Sequence, residues 1–300
     1  MKEKTLGISQ SLVGATMWGA SSVAINFLFS ITSMPYIVLL FFRLLLSSLI
    51  LLVFIRPNFK KADLLSISIF GMIGLFAAQM TYLAAIFYSN ATTATVLQYL
   101  FMPMVVIYDL MRRNRPTTTI LLFSIIFSFF GLILLSFNFY SAGSIFVVSP
   151  VGLFFGLMAA VSGAFYTIYA RVLVKKEGFE ATISLGFLFA CIPATIFGLY
   201  PSIRYISNLS AMPFGSIVTI SGLILFVVIV GTLGAFYLYI KSMKHITSSD
   251  ASVTASMEPI SAAIFSVLIL DIFLTGIQYL GAAIIILSIF FIQIDSSRNG

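Results

Sequence analysis

Asp250, Thr254 and Glu258 recur at i, i+4 and i+8 along one apolar run, which at ~100° per residue confines them to an arc of ~80° on one helix face. Glu258 falls near the middle of that run, where a carboxylate in hydrocarbon costs at least ~2.5 kcal/mol and is found in use or paired. Such a group can take up a coupling proton or hold a substrate ammonium; the other reading is a protonated, hydrogen-bonded carboxyl that locks helices together. Asp250 has a second reading too, since with Ser248 and Ser249 it looks like a helix N-cap in the first turn. Pro259 cannot donate and crowds the carbonyl of Ala255, and Pro103 does the same to Tyr99. Each therefore frees an acceptor one turn earlier, in the middle of a run, where a broken ladder survives only against protein or a wet cavity.

Other polar side chains sit at comparable depth. Trp18, Ser22 and Asn26 form a stripe on the same four-residue spacing, with Asn26 an amide that needs partners. Interfacial anchoring of Trp18 and helix-to-helix bonding of Ser22 are the alternatives. Arg43 lies about eight residues into its run; it either meets a carboxylate or a substrate carboxyl group, or snorkels to the outer headgroups or binds helix carbonyls. Gln79, Tyr82, Gln98, Tyr99, Ser162, Tyr166, Tyr169 and Tyr239 supply amides, hydroxyls and phenols at cavity depth, although tyrosine stripes also serve as packing and interface belts. Ser162, Tyr166 and Tyr169 share one face within ~60°, whereas Tyr237 and Tyr239 point apart, so only one of that pair can face a given cavity. Asp109 with Arg113 at i+4 reads as an interfacial ion pair. Lys244 and His245 read as charge in a cytoplasmic loop.

The elements that must position these groups follow from composition. Of the 300 residues 60% are apolar and only 8% charged, with a mean hydropathy of +1.13; soluble chains carry roughly 25% charged residues. A water-soluble domain is excluded. Cutting the apolar runs at Pro, Gly and charge clusters predicts ten segments: 8–29, 35–55, 64–87, 91–111, 117–138, 149–170, 180–200, 215–240, 249–270 and 273–293. Runs of this length exceed the ~9–11 residues of a transmembrane strand, so helices are expected throughout. The first resembles a signal peptide but is too long and lacks a clear cleavage site, and is read as a retained span.

Cytoplasmic loops collect Lys and Arg. With the N-terminus inside, fourteen of the sixteen basic residues fall on the cytoplasmic side; only Arg204 lies outside and Arg43 within a span. This supports ten spans with both tails in the cytoplasm. Five spans per half is an odd number, so duplicated halves must lie in opposite orientations. The loops agree: RPNFKKAD is basic, whereas its counterpart YPSIRYISNLSAMPFGS carries one Arg, and RRNR is answered by LDIF with Asp271. Letter identity between halves is thin, with Tyr82 and Tyr239 matching at an offset of 157 and Pro103 and Pro259 at 156. The expected architecture is an all-α integral membrane protein of ten transmembrane helices in two inverted five-helix repeats, 1–140 and 141–300, with a site near the midplane between them.

The stretches MWGASSVAIN (17–26), FFRLLLSSLILL and YLAAIFYSNATTATVLQYLFMP in the first half resemble an EamA-type member of the drug/metabolite transporter superfamily. So do GLFFGLMAAVSGAFYTIYARVL and SMKHITSSDASVTASMEPISAAIFSVLILDIFLTGIQYLGAAII in the second half. The most specific element is Glu258-Pro259, followed by Asp271 and then Gly281 ten positions later. The resemblance implies ten helices in two inverted repeats, a central cavity and transport of small metabolites, often export. The chain departs from it at Asn114, within RRNR, where such proteins commonly carry Glu.

On these residues the expectation is a secondary carrier, acting as an exporter of small amphipathic metabolites such as amino acids, with Glu258 the best proton site. Sugar phosphates would want several cationic residues within the spans, and only Arg43 is available. Efflux of drugs or nucleobase-like compounds is the alternative cargo; a channel or structural scaffold is a different class. No GxxxxGK[ST] loop is present to bind ATP, and one His with one Cys make neither a metal ligand set nor an internal disulfide. No cofactor is expected, nor an enzyme, because the spans hold no histidine and one clear acid. The short, dispersed basic clusters do not form a nucleic-acid patch. The expected partners are a small-molecule substrate and the lipid bilayer.

Overall fold

A computed structural model describes residues 2–55, 62–88, 91–112, 118–135, 150–209, 213–270 and 275–298. Asn114, Arg113 and Asp271 lie outside the described residues. Among those described every regular element is helical, and the helices string into ten rods in chain order. Span 1 is Lys2–Ile31, span 2 Tyr36–Phe54 and span 3 Leu64–Tyr88, the last containing a π-helical stretch, Phe70–Phe76. Span 4 comprises Ala91–Gln98 and Phe101–Met111, and span 5 is Thr119–Leu135. Span 6 is Pro150–Glu177, span 7 Phe179–Leu209, and span 8 Phe214–Ser242 with a second π-helical stretch, Val227–Gly234. Span 9 comprises Ser248–Thr254 and Met257–Leu270, and span 10 is Gly276–Arg298. Seven of the rods are long and apolar enough to cross a bilayer. The protein is an all-α membrane protein.

The ends obey local rules. Asp63 caps span 3 by accepting from the Ser66 amide at 3.1 Å, and Thr275 exchanges bonds with Gln278 to start span 10, as a Thr-x-x-Gln capping box does. Spans 6 and 7 are joined by Gly178 alone, at φ +85°, in the left-handed region that favours glycine. Three sequence boundaries need correction. Span 6 runs on to Glu177 rather than ending at residue 170. Span 1 begins at Lys2 rather than at residue 8. Span 7 continues to Leu209 through Pro193 and Pro201, so Arg204 rides on a helix, not in a loop. At 31 residues, span 7 rises ~46 Å by the usual ~1.5 Å per residue, well beyond the ~30 Å hydrocarbon core.

The rods pair systematically: 5 with 10, 2 with 7, 3 with 6 and 1 with both 8 and 9. Replacing each span by the one five places on turns the 3–6 contact into 1–8 and the 4–6 contact into 1–9, and leaves 2–7 and 5–10 unchanged. The irregularities repeat as well. The π-helical stretches begin at Phe70 and Val227, and helix breaks fall at 99–100 and 255–256, the same offsets that relate Tyr82 to Tyr239 and Pro103 to Pro259. Span 1 crosses span 9 closely at Gly19, where a Cβ would collide with Ser261 and the Glu258 carbonyl.

Candidate functional site

The two prolines do more than kink their helices. Span 9 breaks at Ala255–Ser256, and the Ala255 carbonyl that Pro259 cannot satisfy takes a bond from the Glu258 amide at 2.9 Å and another from the Tyr99 hydroxyl at 2.5 Å. Tyr99 occupies the matching break in span 4, so the two interruptions are bonded to each other. The same hydroxyl stands 3.3 Å from Glu258 Oε2. One O–H thus faces two acceptors, the backbone of the break and the carboxyl one turn along.

Glu258 opens onto a central cavity of about 90 Å³. Its walls come from seven spans: Trp18, Ser21, Ser22 and Ile25 from span 1, Arg43 from span 2, and Ala78, Gln79 and Tyr82 from span 3. Gln98, Tyr99 and Phe101 come from span 4, Gly163, Tyr166 and Thr167 from span 6, Phe236 and Tyr239 from span 8, and Ala255 beside Glu258 from span 9. Arg43 is only 5% exposed, which removes the snorkelling reading. Its Nε donates to Thr232 Oγ1 at 3.0 Å, and Thr232 donates to the Val227 carbonyl five residues back. The π-helical stretch of span 8 therefore sets the arginine's position. Arg43 and Glu258 are within coulombic reach of each other.

One side of the cavity is aromatic. The Trp18 ring centroid lies 4.8 Å from Tyr239 and 4.9 Å from Phe236, and Tyr166 stacks on Tyr239 at 6.1 Å. Tyr237 turns away, as the spacing requires, and packs edge-on against Phe179. The opposite side is polar, with Tyr82 bonded to Thr95 at 3.1 Å.

Ten of the fourteen residues singled out from the sequence line this cavity, and four are placed elsewhere. Asn26 lies about 12 Å along the helix from Trp18 at ~1.5 Å per residue, beyond the level of Glu258. It opens instead onto a separate hollow of about 480 Å³ with Thr32 and Ser33. Ser162 bonds Thr81 at 3.2 Å, tying span 6 to span 3, and Tyr169 stacks on Phe165. Thr254 is fully buried and bonded to Ser11 at 2.6 Å. Ser21, Thr167 and Phe236 were missed. Thr167 and Phe236 are one position from Tyr166 and Tyr237, and period alone does not say which neighbour of a marked residue turns inward.

A second polar cluster surrounds the start of span 9. Thr247 is the N-cap and Asp250 its capping-box partner, accepting from the Thr247 amide at 3.2 Å; the cap is Thr247 rather than Asp250. Asp109, near the end of its helix at Met111, is fully buried and accepts from both the Ser249 amide, at 2.8 Å, and its hydroxyl, at 2.7 Å. All seven residues of Ser248–Thr254 are buried. At the cap before span 3, the ammonium of Lys176 from the last turn of span 6, 2.6 Å from Asp63, holds the Asp63 carboxyl well below the usual carboxylate range, helped by bonds from Ser66.

A helical membrane protein whose rods surround a central cavity lined by aromatic rings and a few polar and charged groups has the build of a membrane transporter. The model of the EamA-like transporter family matches this chain twice, over residues 5–137 and 150–294, and the chain belongs to that family. It is similar to the uncharacterized inner membrane transporter YicL of Salmonella typhimurium (strain LT2), with 31% identity over 310 residues covering 98% of this chain and 97% of the relative. A crystal structure of 16% sequence identity shares the fold, with a TM-score of 0.73 and coverage of 99% of this chain and 98% of the other.

Proposed function

We propose that this protein is a secondary carrier that exports small amphipathic metabolites such as amino acids, with Glu258 carrying the coupling proton. The observation behind this reading is that one acid and one guanidinium, Glu258 and Arg43, line the same central cavity. A zwitterion presents the complementary pair: its ammonium to Glu258 and its carboxylate to the planar fork of Arg43. The aromatic side takes the rest of the molecule. Access to such a site from the two faces of the membrane in turn requires the spans to part.

The units that part are residues 1–140 and 141–300, inserted in opposite senses with both chain ends in the cytoplasm. The double family match and the repeated π-helical stretches and breaks support this division. Glu258 has the means to report its proton to the helices. A neutral carboxyl releases the Tyr99 hydroxyl entirely to the Ala255 carbonyl, whereas a carboxylate competes for it, so protonation and the geometry of the span 9 break are linked.

The test is counterflow in reconstituted vesicles. Saturable exchange of amino acids is expected, with accumulation driven by an imposed proton gradient. Glu258→Gln is expected to retain exchange and lose the gradient-driven part; pH-driven accumulation unchanged in that variant rejects the coupling role.

A further inference from the structure

Most polar atoms around the central cavity have partners, and a small set does not. Among the described residues, both amide atoms of Gln79, Oε1 of Gln98, the indole Nε1 of Trp18 and the hydroxyls of Ser21 and Tyr166 are buried without a hydrogen bond. Gln79 and Tyr166 are each only 5% exposed. A buried polar group left unpaired costs free energy, and native structures keep few of them, so a cluster of five such residues in one hollow points to something that enters and pairs with them.

The chemistry of the set is specific. Gln79 offers a donor and an acceptor side by side, Gln98 an acceptor, Trp18 a donor and Tyr166 either. None is charged. An ammonium would satisfy only the acceptors and a carboxylate only the donors, while an apolar group would leave all of them bare. A neutral group with an N–H next to a C=O answers both halves of the Gln79 amide at once, in the way a glutamine pairs with the edge of a base. Such groups are planar, and the Trp18–Tyr239–Tyr166 cluster offers ring faces on the same cavity.

We propose that the transported molecule carries a carboxamide or ring lactam, which pairs with Gln79, is completed by Gln98 and Tyr166, and lies against the Trp18–Tyr239 wall. This rests on the reading of the central cavity as the transport site. It makes the part of the substrate beyond the Glu258–Arg43 pair flat and polar, since sites built to bond a particular group reject analogues that lack it.

Counterflow by the full chain in vesicles tests it with two matched pairs: L-glutamine against L-methionine, and nicotinamide against 3-acetylpyridine. Within each pair shape is similar and only one member carries the amide. The amide member is expected to compete at least about tenfold better, and Gln79→Met to bring the ratio towards one while the empty protein melts no lower. Gln98→Met, read the same way, serves if Gln79→Met does not fold. Equal competition within both pairs in the unsubstituted protein, or a preference that survives both substitutions, overturns the amide site and leaves the carrier standing. Absence of counterflow for all four compounds overturns both.

Discussion

Two polar clusters lie within the helices of this protein, and they differ in one respect. Around the start of span 9, Asp109, Ser249, Thr247, Asp250, Thr254 and Ser11 bond one another across spans 1, 4 and 9. Around the central cavity, Gln79, Gln98, Trp18 and Tyr166 leave atoms unbonded. Both clusters are withdrawn from water, where an unmade hydrogen bond is expensive. The satisfied cluster bonds helices to one another, and the unsatisfied one is where we propose that a ligand pairs. Polarity inside a membrane protein does not by itself mark a binding site; here the two clusters are told apart by whether their groups have partners and face a cavity.

The contrast can be broken most severely at its hinge, Glu258. Glu258→Gln should reduce proton-driven accumulation to the level of empty vesicles while the protein still melts cooperatively, and a large loss of thermal stability instead would move Glu258 into the structural cluster. Asp109→Ala strands the Ser249 amide and hydroxyl and removes a stabilising anion from a helix start, which should cost about 2–4 kcal/mol. A denaturation series should show this as a lower midpoint, with substrate affinity unchanged in the folded fraction. Ser11→Ala leaves Thr254 with its backbone acceptors and should cost only about 1 kcal/mol.

Gln79→Leu inverts the sign. It deletes unpaired atoms, so the empty protein should be as stable or up to about 1 kcal/mol more stable, while affinity falls. A clear destabilisation would mean that Gln79 belongs with the satisfied cluster. The smallest effect concerns the Asp63–Lys176 contact at the cap before span 3. Asp63 has its carboxyl pulled below the usual range, so whatever it contributes is present above the unfolded value of ~3.9 and lost only as pH falls through the lower folded value. Melting temperature in Lys176→Ala and in the parent should therefore track each other between pH 5 and 8, leaving any pH dependence of transport in that window to the cavity.

Much of this was legible in the chain. The ten apolar runs correspond to the ten rods because hydropathy and the need to satisfy backbone groups within the bilayer leave no other regular structure. The Pro259 argument, that the Ala255 carbonyl must find another donor, is met by Tyr99. Depth along a helix was harder to read than face. Trp18, Ser22 and Asn26 share a stripe, yet only the first two reach the level of Glu258. Arg43 was ambiguous because whether an arginine snorkels depends on what packs around it, and Thr232, 189 positions away, is what holds it. The bonds that Asp109 accepts from Ser249, 140 positions on, left no signal in the sequence.

From its residues alone the chain determined that it enters a bilayer, how many helical rods it makes, where they are interrupted and which titratable group sits at mid-depth, because these follow from local composition and from backbone chemistry confined to single segments. Which polar side chains meet, and which are left without a partner, was decided only when spans distant in sequence came together, because a hydrogen bond needs two groups within about 3 Å and no one-dimensional pattern carries that distance.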